Sequence, residues 1–174
     1  MSSSERLAAA IRDVPDFPKP GIIFKDITPL LQDGKLLTQV VRAMRGMLRG
    51  QKIDAIVCVE ARGFIFGAAL AYSLGCGLVM VRKKGKLPFR TKSVTYALEY
   101  GTDTLEIHAD ALRPGMRVVI VDDVLATGGT VAAVSRLVRG MKASVVKMLF
   151  LIELGFLNGR KKLKGHSVEA LLRY

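Results

Sequence analysis

The sequence predicts an α/β fold, a mostly parallel twisted sheet flanked by helices, and three observations carry that prediction. Four short apolar runs recur along the chain: IVCV at 56–59, LVMV at 78–81, VVIV at 118–121 and VVKMLFLI at 145–152. Runs without polar alternation imply strands buried on both faces, as in parallel sheets. Helical patterns at 63–74 and 129–141 separate several of them, which places helices on both sides of the sheet. A chain of 174 residues with half its residues apolar suits one compact domain, able to bury roughly 70% of the surface its unfolded form exposes.

Each element follows from its own residues. Ser4 is a cap for a short helix that carries Leu7, Ala10 and Ile11 on one side, and Pro15, Pro18 and Pro20 then force extended backbone as far as about Thr28. Asp33 caps the next helix, where Leu37, Val40, Val41, Met44, Met47 and Leu48 recur at helical spacing until Gly50. The segment Gly63 to Val81 has no charged residue and is long enough to span a bilayer. Gly75, Cys76 and Gly77 interrupt it, so a helix followed by a strand is the better reading. SVTYALEY and DTLEIHA flank Gly101 and Thr102 as the arms of an antiparallel hairpin off the sheet.

Lysine and arginine outnumber acids 27 to 15, a net charge of +12 that favours anionic partners. Nucleic acid, phosphorylated metabolites and acidic membrane surfaces all satisfy that charge. The two cysteines, Cys58 and Cys76, make no CxxC or zinc spacing and point to the reducing cytoplasm. His108 and His166 are isolated and pair with no triad or metal pattern.

In an open parallel sheet, ligands bind beyond the carboxyl ends of the strands. Three segments stand there: Glu60-Ala61-Arg62-Gly63, Arg82-Lys83-Lys84-Gly85-Lys86, and Asp122 to Thr130. In VVIVDDVLATGGT, Ala126, Thr127, Gly128, Gly129 and Thr130 offer small side chains, two hydroxyls and a helix start. Exposed N–H groups at a helix N-terminus attract a single terminal phosphate. Asp122 and Asp123 would repel that phosphate, but they suit the hydroxyls of an attached sugar.

VVIVDDVLATGGT closely resembles the phosphoribosyl diphosphate (PRPP) motif of the type I phosphoribosyltransferases. FPKPGIIFKDITPLL, EARGFIFGAALA, VRKKGKLP and YALEYGTDTLEIH, in that order, resemble the adenine phosphoribosyltransferases over about residues 15–153, with a looser match after Leu154. The resemblance implies that family's fold as a single domain over 1–174, with a small N-terminal hood (about 1–32) and a flexible lid hairpin (about 90–108). It implies transfer of the 5-phosphoribosyl group from PRPP to adenine, giving AMP and pyrophosphate, with Mg²⁺ bound through PRPP and no direct protein ligand. It also implies a homodimer, with no nucleic-acid or membrane partner.

Roles follow residue by residue. The turn Ala126–Thr130 takes the 5-phosphate, and Asp122 and Asp123 take the ribose hydroxyls. Glu60, Ala61, Arg62, Arg82, Lys83 and Lys86 bind pyrophosphate, with a cis peptide expected in Glu60-Ala61-Arg62. Glu99, beside Tyr100 in the lid, is the proton carrier for the base. Phe24 covers one face of adenine and Val124 or Leu125 the other, while the main chain of Ile23 and Lys25 reads the amino edge. Lys25 departs from the arginine common in relatives, which matters only if a guanidinium is needed. Arg82 is the basic residue expected to reach the partner's site.

Two other readings remain at this stage. A transferase for hypoxanthine, guanine or xanthine would keep the PRPP site and change only the hood. A PRPP-sensing regulator would use the positive charge on nucleic acid. Against the regulator, only about twenty residues precede the matched region, too few for a helix-turn-helix domain.

Overall fold

The computed structural model describes residues 3–97 and 101–174. The chain begins with helix α1 (Ser3–Ala9), strands β1 (Arg12–Pro15) and β2 (Ile23–Asp26), and helices α2 (Thr28–Gln32) and α3 (Gly34–Gly46). There follow β3 (Ala55–Val59), α4 (Gly63–Leu74), β4 (Gly77–Lys83), β5 (Thr91–Ala97) and β6 (Thr102–His108). The last third holds β7 (Arg117–Leu125), α5 (Gly129–Gly140), β8 (Ser144–Glu153), 3-10 turns at Gly155–Leu157 and Gly159–Leu163, and β9 (Val168–Arg173).

Seven strands form one sheet in the order β5-β6-β4-β3-β7-β8-β9. The strands from β4 to β9 along that order run parallel, and the β5–β6 hairpin adds an antiparallel edge beside β4. Side chains alternate across the sheet, so successive residues of β7 feed opposite cores. Val119 and Val121 pack with Ile56, Phe66 and Leu70 under α4, whereas Val118 and Ile120 pack with Val57, Val134 and Val138 under α5. Side chains buried as fully as Phe66 and Leu70 stabilise the fold by about 1.5–3 kcal/mol each.

Asp33 caps α3 as expected, its carboxylate accepting from the N–H groups of Lys35 and Leu36. Three expectations need correction. Ser4 lies inside α1 and does not cap it, and α3 ends at Gly46, four residues before Gly50. The LVMV run is buried on one face only: Val79 and Val81 are covered, but Leu78 and Met80 are 42% and 45% exposed. Helix α4 packs with core residues of β3 and β7 and leaves that part of β4 open. The hood contains an antiparallel pair, β1 with β2, which places Phe24 opposite Val14 and Lys25 opposite Asp13. Among the described residues no helix is long and apolar enough to cross a membrane.

Candidate active site

Parallel strands β3 and β7 lie side by side, so the loops leaving their carboxyl ends meet. Glu60-Ala61-Arg62 leaves β3 and turns into α4, while Asp122 and Asp123 sit near the end of β7 before the turn into α5. A cavity of about 390 Å³ is lined there by Ile23, Phe24, Lys25, Glu60, Ala61, Arg62, Asp122, Asp123, Val124, Ala126 and Thr130. A larger space of about 970 Å³ adjoins it and adds Thr127, Gly129, Lys162 and Tyr174. Leu154 lines both.

The two carboxylates differ. Loss of hydration, then the charge of Asp123, pushes the Asp122 carboxyl well above the usual range. Gly63 makes room for it, since a Cβ there would stand 2.9 Å from Asp122 Oδ1. Asp123 is 5% exposed. Arg62 Nε lies 2.5 Å from its Oδ2, but this charge contact lacks hydrogen-bond geometry, and that oxygen has no hydrogen-bond partner. The Arg62 guanidinium also stands 5.0 Å from the centre of the Phe24 ring. One cation thus bridges the acid and the aromatic face of the cavity.

The turn after β7 is held from two sides. Gly128 has φ +77°, and its Cβ position lies 2.4 Å from the carbonyl oxygen of Gly159. A Cβ on Gly159 would in turn stand 2.2 Å from the carbonyl oxygen of Ala126. Glycine is required at both positions because two backbones meet there. No side chain caps α5, which leaves its first N–H groups for a ligand. From the other side the Tyr96 hydroxyl hydrogen-bonds with Thr130 Oγ1 at 3.2 Å.

Arg82, Lys83 and Lys86 gather outside these cavities around acids. The Glu60 carboxylate accepts from Arg82 Nη2 at 3.1 Å, Lys86 Nζ at 2.7 Å and the Lys83 N–H at 3.2 Å. Hydrogen bonds from Arg82 and Lys86 hold the Glu60 carboxyl down at about 2. Lys83 Nζ stands 3.4 Å from Asp103. The Glu60–Ala61 peptide is cis, as the resemblance implied. Of the two candidates for the second base face, Val124 lines the smaller cavity; Leu125 is 1% exposed in the core. The Lys25 ammonium is bound to Asp13 at 2.7 Å and lies 4.0 Å from the centre of the Tyr174 ring. Glu99 and Tyr100 lie outside the described residues.

Sequence reasoning missed Leu154, Gly159, Lys162 and Tyr174. The fourth apolar run also ends at the ligand side of the sheet, and applying the strand-end rule to β8 points to Leu154 and Gly155 directly.

An open parallel sheet whose turn into α5 leaves the helix N-terminus without a side-chain cap beside paired carboxylates, with cations on the neighbouring loops, has the features of a phosphoribosyl-transferring enzyme. The family model described as phosphoribosyl transferase domain matches residues 28–167. Adenine phosphoribosyltransferases from Trichlorobacter lovleyi and Syntrophotalea carbinolica are 58% and 59% identical to this chain, each over 98% of it and 99% of their own length. The solved adenine phosphoribosyltransferase of Thermoanaerobacter pseudethanolicus superposes with a TM-score of 0.96 at 54% identity, covering 98% of this chain and 99% of that one. The Saccharomyces cerevisiae enzyme, solved with an imino-altritol bisphosphate and adenine, gives 0.94 at 42% identity over 98% of both chains. The chain belongs to the phosphoribosyltransferase family, in its adenine phosphoribosyltransferase branch.

Proposed function

We infer that this chain transfers the 5-phosphoribosyl group of PRPP to adenine, giving AMP and pyrophosphate, a purine-salvage reaction. The observation that carries the reading is the phosphate turn set beside two acids under an aromatic ring: Thr127–Thr130, Asp122 with Asp123, and Phe24.

The free N–H groups at the start of α5 and the hydroxyls of Thr127 and Thr130 hold the 5-phosphate. Asp122 and Asp123 take the ribose hydroxyls; Asp123 Oδ2, in charge contact with Arg62 but without a hydrogen bond, supports this, because a buried acceptor gains from a donor. Adenine lies between Phe24 and Val124, against the Ile23 and Lys25 main chain. Breaking the C1–O bond sends its electron pair to pyrophosphate, and the N9 lone pair of adenine forms the new bond to C1. Arg62, released from Asp123, meets the leaving pyrophosphate, with Arg82, Lys83 and Lys86 behind it. Glu99 takes the N9 proton, with Tyr100 its neighbour in sequence. Mg²⁺ brought with PRPP would neutralise phosphate charge, and Asp123 Oδ2, which lacks a hydrogen bond, would suit that ligand complex.

The single domain over 1–174 works as a homodimer in the cytoplasm. Exposed Ile65 and Tyr72 on α4 and Leu78 and Met80 on β4 support the dimer as an unsheltered apolar face. Arg82 follows Met80 and Val81 on the same strand, and on leaving Glu60 it is the basic residue that would reach the partner's site. Both cysteines are free, and burial pushes the Cys58 thiol up to about 12, which supports a reducing compartment.

The test is AMP formation by an Asp122→Asn/Asp123→Asn variant. The expected loss is at least about 100-fold in kcat/KM for PRPP with the fold intact by circular dichroism. Turnover near that of the parent would remove the acids from the site.

A further inference from the structure

The active site leaves part of the chain's positive charge unexplained, and helix α5 shows where some of it stands. One stripe of α5 faces the sheet through Val134 and Val138. Another, spaced i, i+3, i+4 and i+7, carries Ala132, Ser135, Arg136 and Arg139 and lines a separate cavity of about 500 Å³. The opposite wall is the second 3-10 turn and the residues after it, where Lys162 and Lys164 flank the buried Leu163 and are followed by His166. Ser135 is 1% exposed, and its hydroxyl meets His166 Nε2 at 3.0 Å.

Among the described residues no acidic side chain lines this cavity. Around the transferase site and at β8 and β9, by contrast, acids neutralise cations: Glu60, Asp103, Asp123, Glu153 and Glu169 are all in ion pairs. Among the described residues, the side chains of Arg136, Arg139, Lys162 and Lys164 make neither an ion pair nor a hydrogen bond. Four like charges around a concavity repel one another, and a multivalent anion relieves that repulsion while gaining charge-assisted hydrogen bonds. The volume lies in the range of small-molecule sites, about 300–1,000 Å³.

We propose that this cavity is a second ligand site, distinct from the transferase site, that binds a chain of linked phosphates, either free or carried by a nucleoside. The walls reach the active site. Gly129, Ala97 and Lys162 line both spaces, and Tyr96, also in the wall, hydrogen-bonds to Thr130 of the phosphate turn. A bound polyphosphate therefore sits one hydrogen bond from the groups that hold PRPP.

His166 supplies a local readout. Burial, then the nearby Arg139 cation, lowers its pKa from 6.5, and an anion beside the ring reverses the charge effect. The chain has only two histidines, so His108 serves as the internal control. The experiment follows both imidazoles by NMR in the full-length protein, with saturating AMP on the phosphate turn, during titration with inorganic tripolyphosphate. The expected result is a saturable shift of His166 and a raised apparent pKa, with His108 unmoved. In R136Q/R139Q, which changes no residue of the transferase site, binding weakens at least about tenfold while AMP formation without tripolyphosphate keeps its parent rate. A parallel titration with ATP separates the two sources. Equal affinity assigns the site to the phosphate chain alone, and tighter ATP binding assigns it to nucleoside triphosphates. An unmoved His166, equal affinity in parent and R136Q/R139Q, or a shift produced only by a nucleic-acid duplex would overturn the proposal. The saturating AMP also separates the two claims, since failure of AMP to bind would count against the transferase reading and not against this one.

Discussion

Replacing Gly159 with alanine puts a methyl group 2.2 Å from the carbonyl oxygen of Ala126. Ordinary contact begins at 3.4 Å, so the two backbones must part by about 1.2 Å. Neither partner is a flexible side chain. Gly159 is held by the Arg160–Glu153 ion pair, with Arg160 Nε 2.8 Å and Nη2 2.7 Å from the carboxylate, and Arg160 Nη1 also donates to the Val168 carbonyl at 2.8 Å. Ala126 follows directly on β7, where Leu154 N–H donates to the Leu125 carbonyl at 2.9 Å. Overpacking of this kind costs about 1–3 kcal/mol, or roughly 3–10 °C in Tm for a chain of this length. The functional loss is larger, because a shift of about 1 Å in a positioned group can cost about 100-fold. Gly159→Ala is therefore expected to lower kcat/KM for PRPP about 100-fold through a raised KM for PRPP, with less effect on the KM for adenine. Steady-state kinetics with each substrate varied, alongside thermal melts with and without AMP, measure this. Gly46→Ala is the control, since a Cβ there meets nothing within 4 Å. An unchanged KM for PRPP in Gly159→Ala would refute the idea that the segment after β8 shapes the phosphate turn.

Other perturbations test separate parts of the account. The Glu60 carboxyl titrates at about 2 in the folded protein against 4.5 ordinarily, so the unfolded chain binds more protons between those values. Its stabilisation is complete above about pH 4.5 and fades as pH falls toward 2; Glu60→Gln should flatten the acid limb of a urea-denaturation series. Glu99→Ala is expected to lower turnover by about two or more orders of magnitude with an unchanged melting curve, and near-parent turnover would reassign the proton transfer. Met80→Glu places a charge on the exposed apolar face of α4 and β4, and sedimentation should show a shift toward monomer. An unaltered dimer would move the interface elsewhere.

Much of the fold was legible because its signals are local. The runs at β3, β7 and β8 are apolar without alternation because both sheet faces are covered there. The same composition misled at β4, since LVMV reads identically whether its second face meets a helix or another surface. The turn from β7 into α5 was legible because small residues, acids and a helix start are adjacent in sequence. Gly128 is the instructive case: it was expected to be glycine for the ligand, yet its missing Cβ also serves a contact with Gly159, thirty-one residues later. No periodicity encodes that approach. The pairing of Arg62 with Asp123, and of Arg82 and Lys86 with Glu60, was hidden for the same reason. Each residue announced its charge, but only the crossing of β3 with its neighbours set the partners.

Pyrophosphate release from PRPP and Mg²⁺, measured with adenine, hypoxanthine, guanine and xanthine in turn, decides whether this chain transfers phosphoribosyl groups and to which base. The account predicts release with adenine that matches AMP formation mole for mole, and rates at least about tenfold lower with the oxopurines, whose edge presents the wrong donor and acceptor pattern. Silence with adenine, or faster release with any of the other bases, would contradict it.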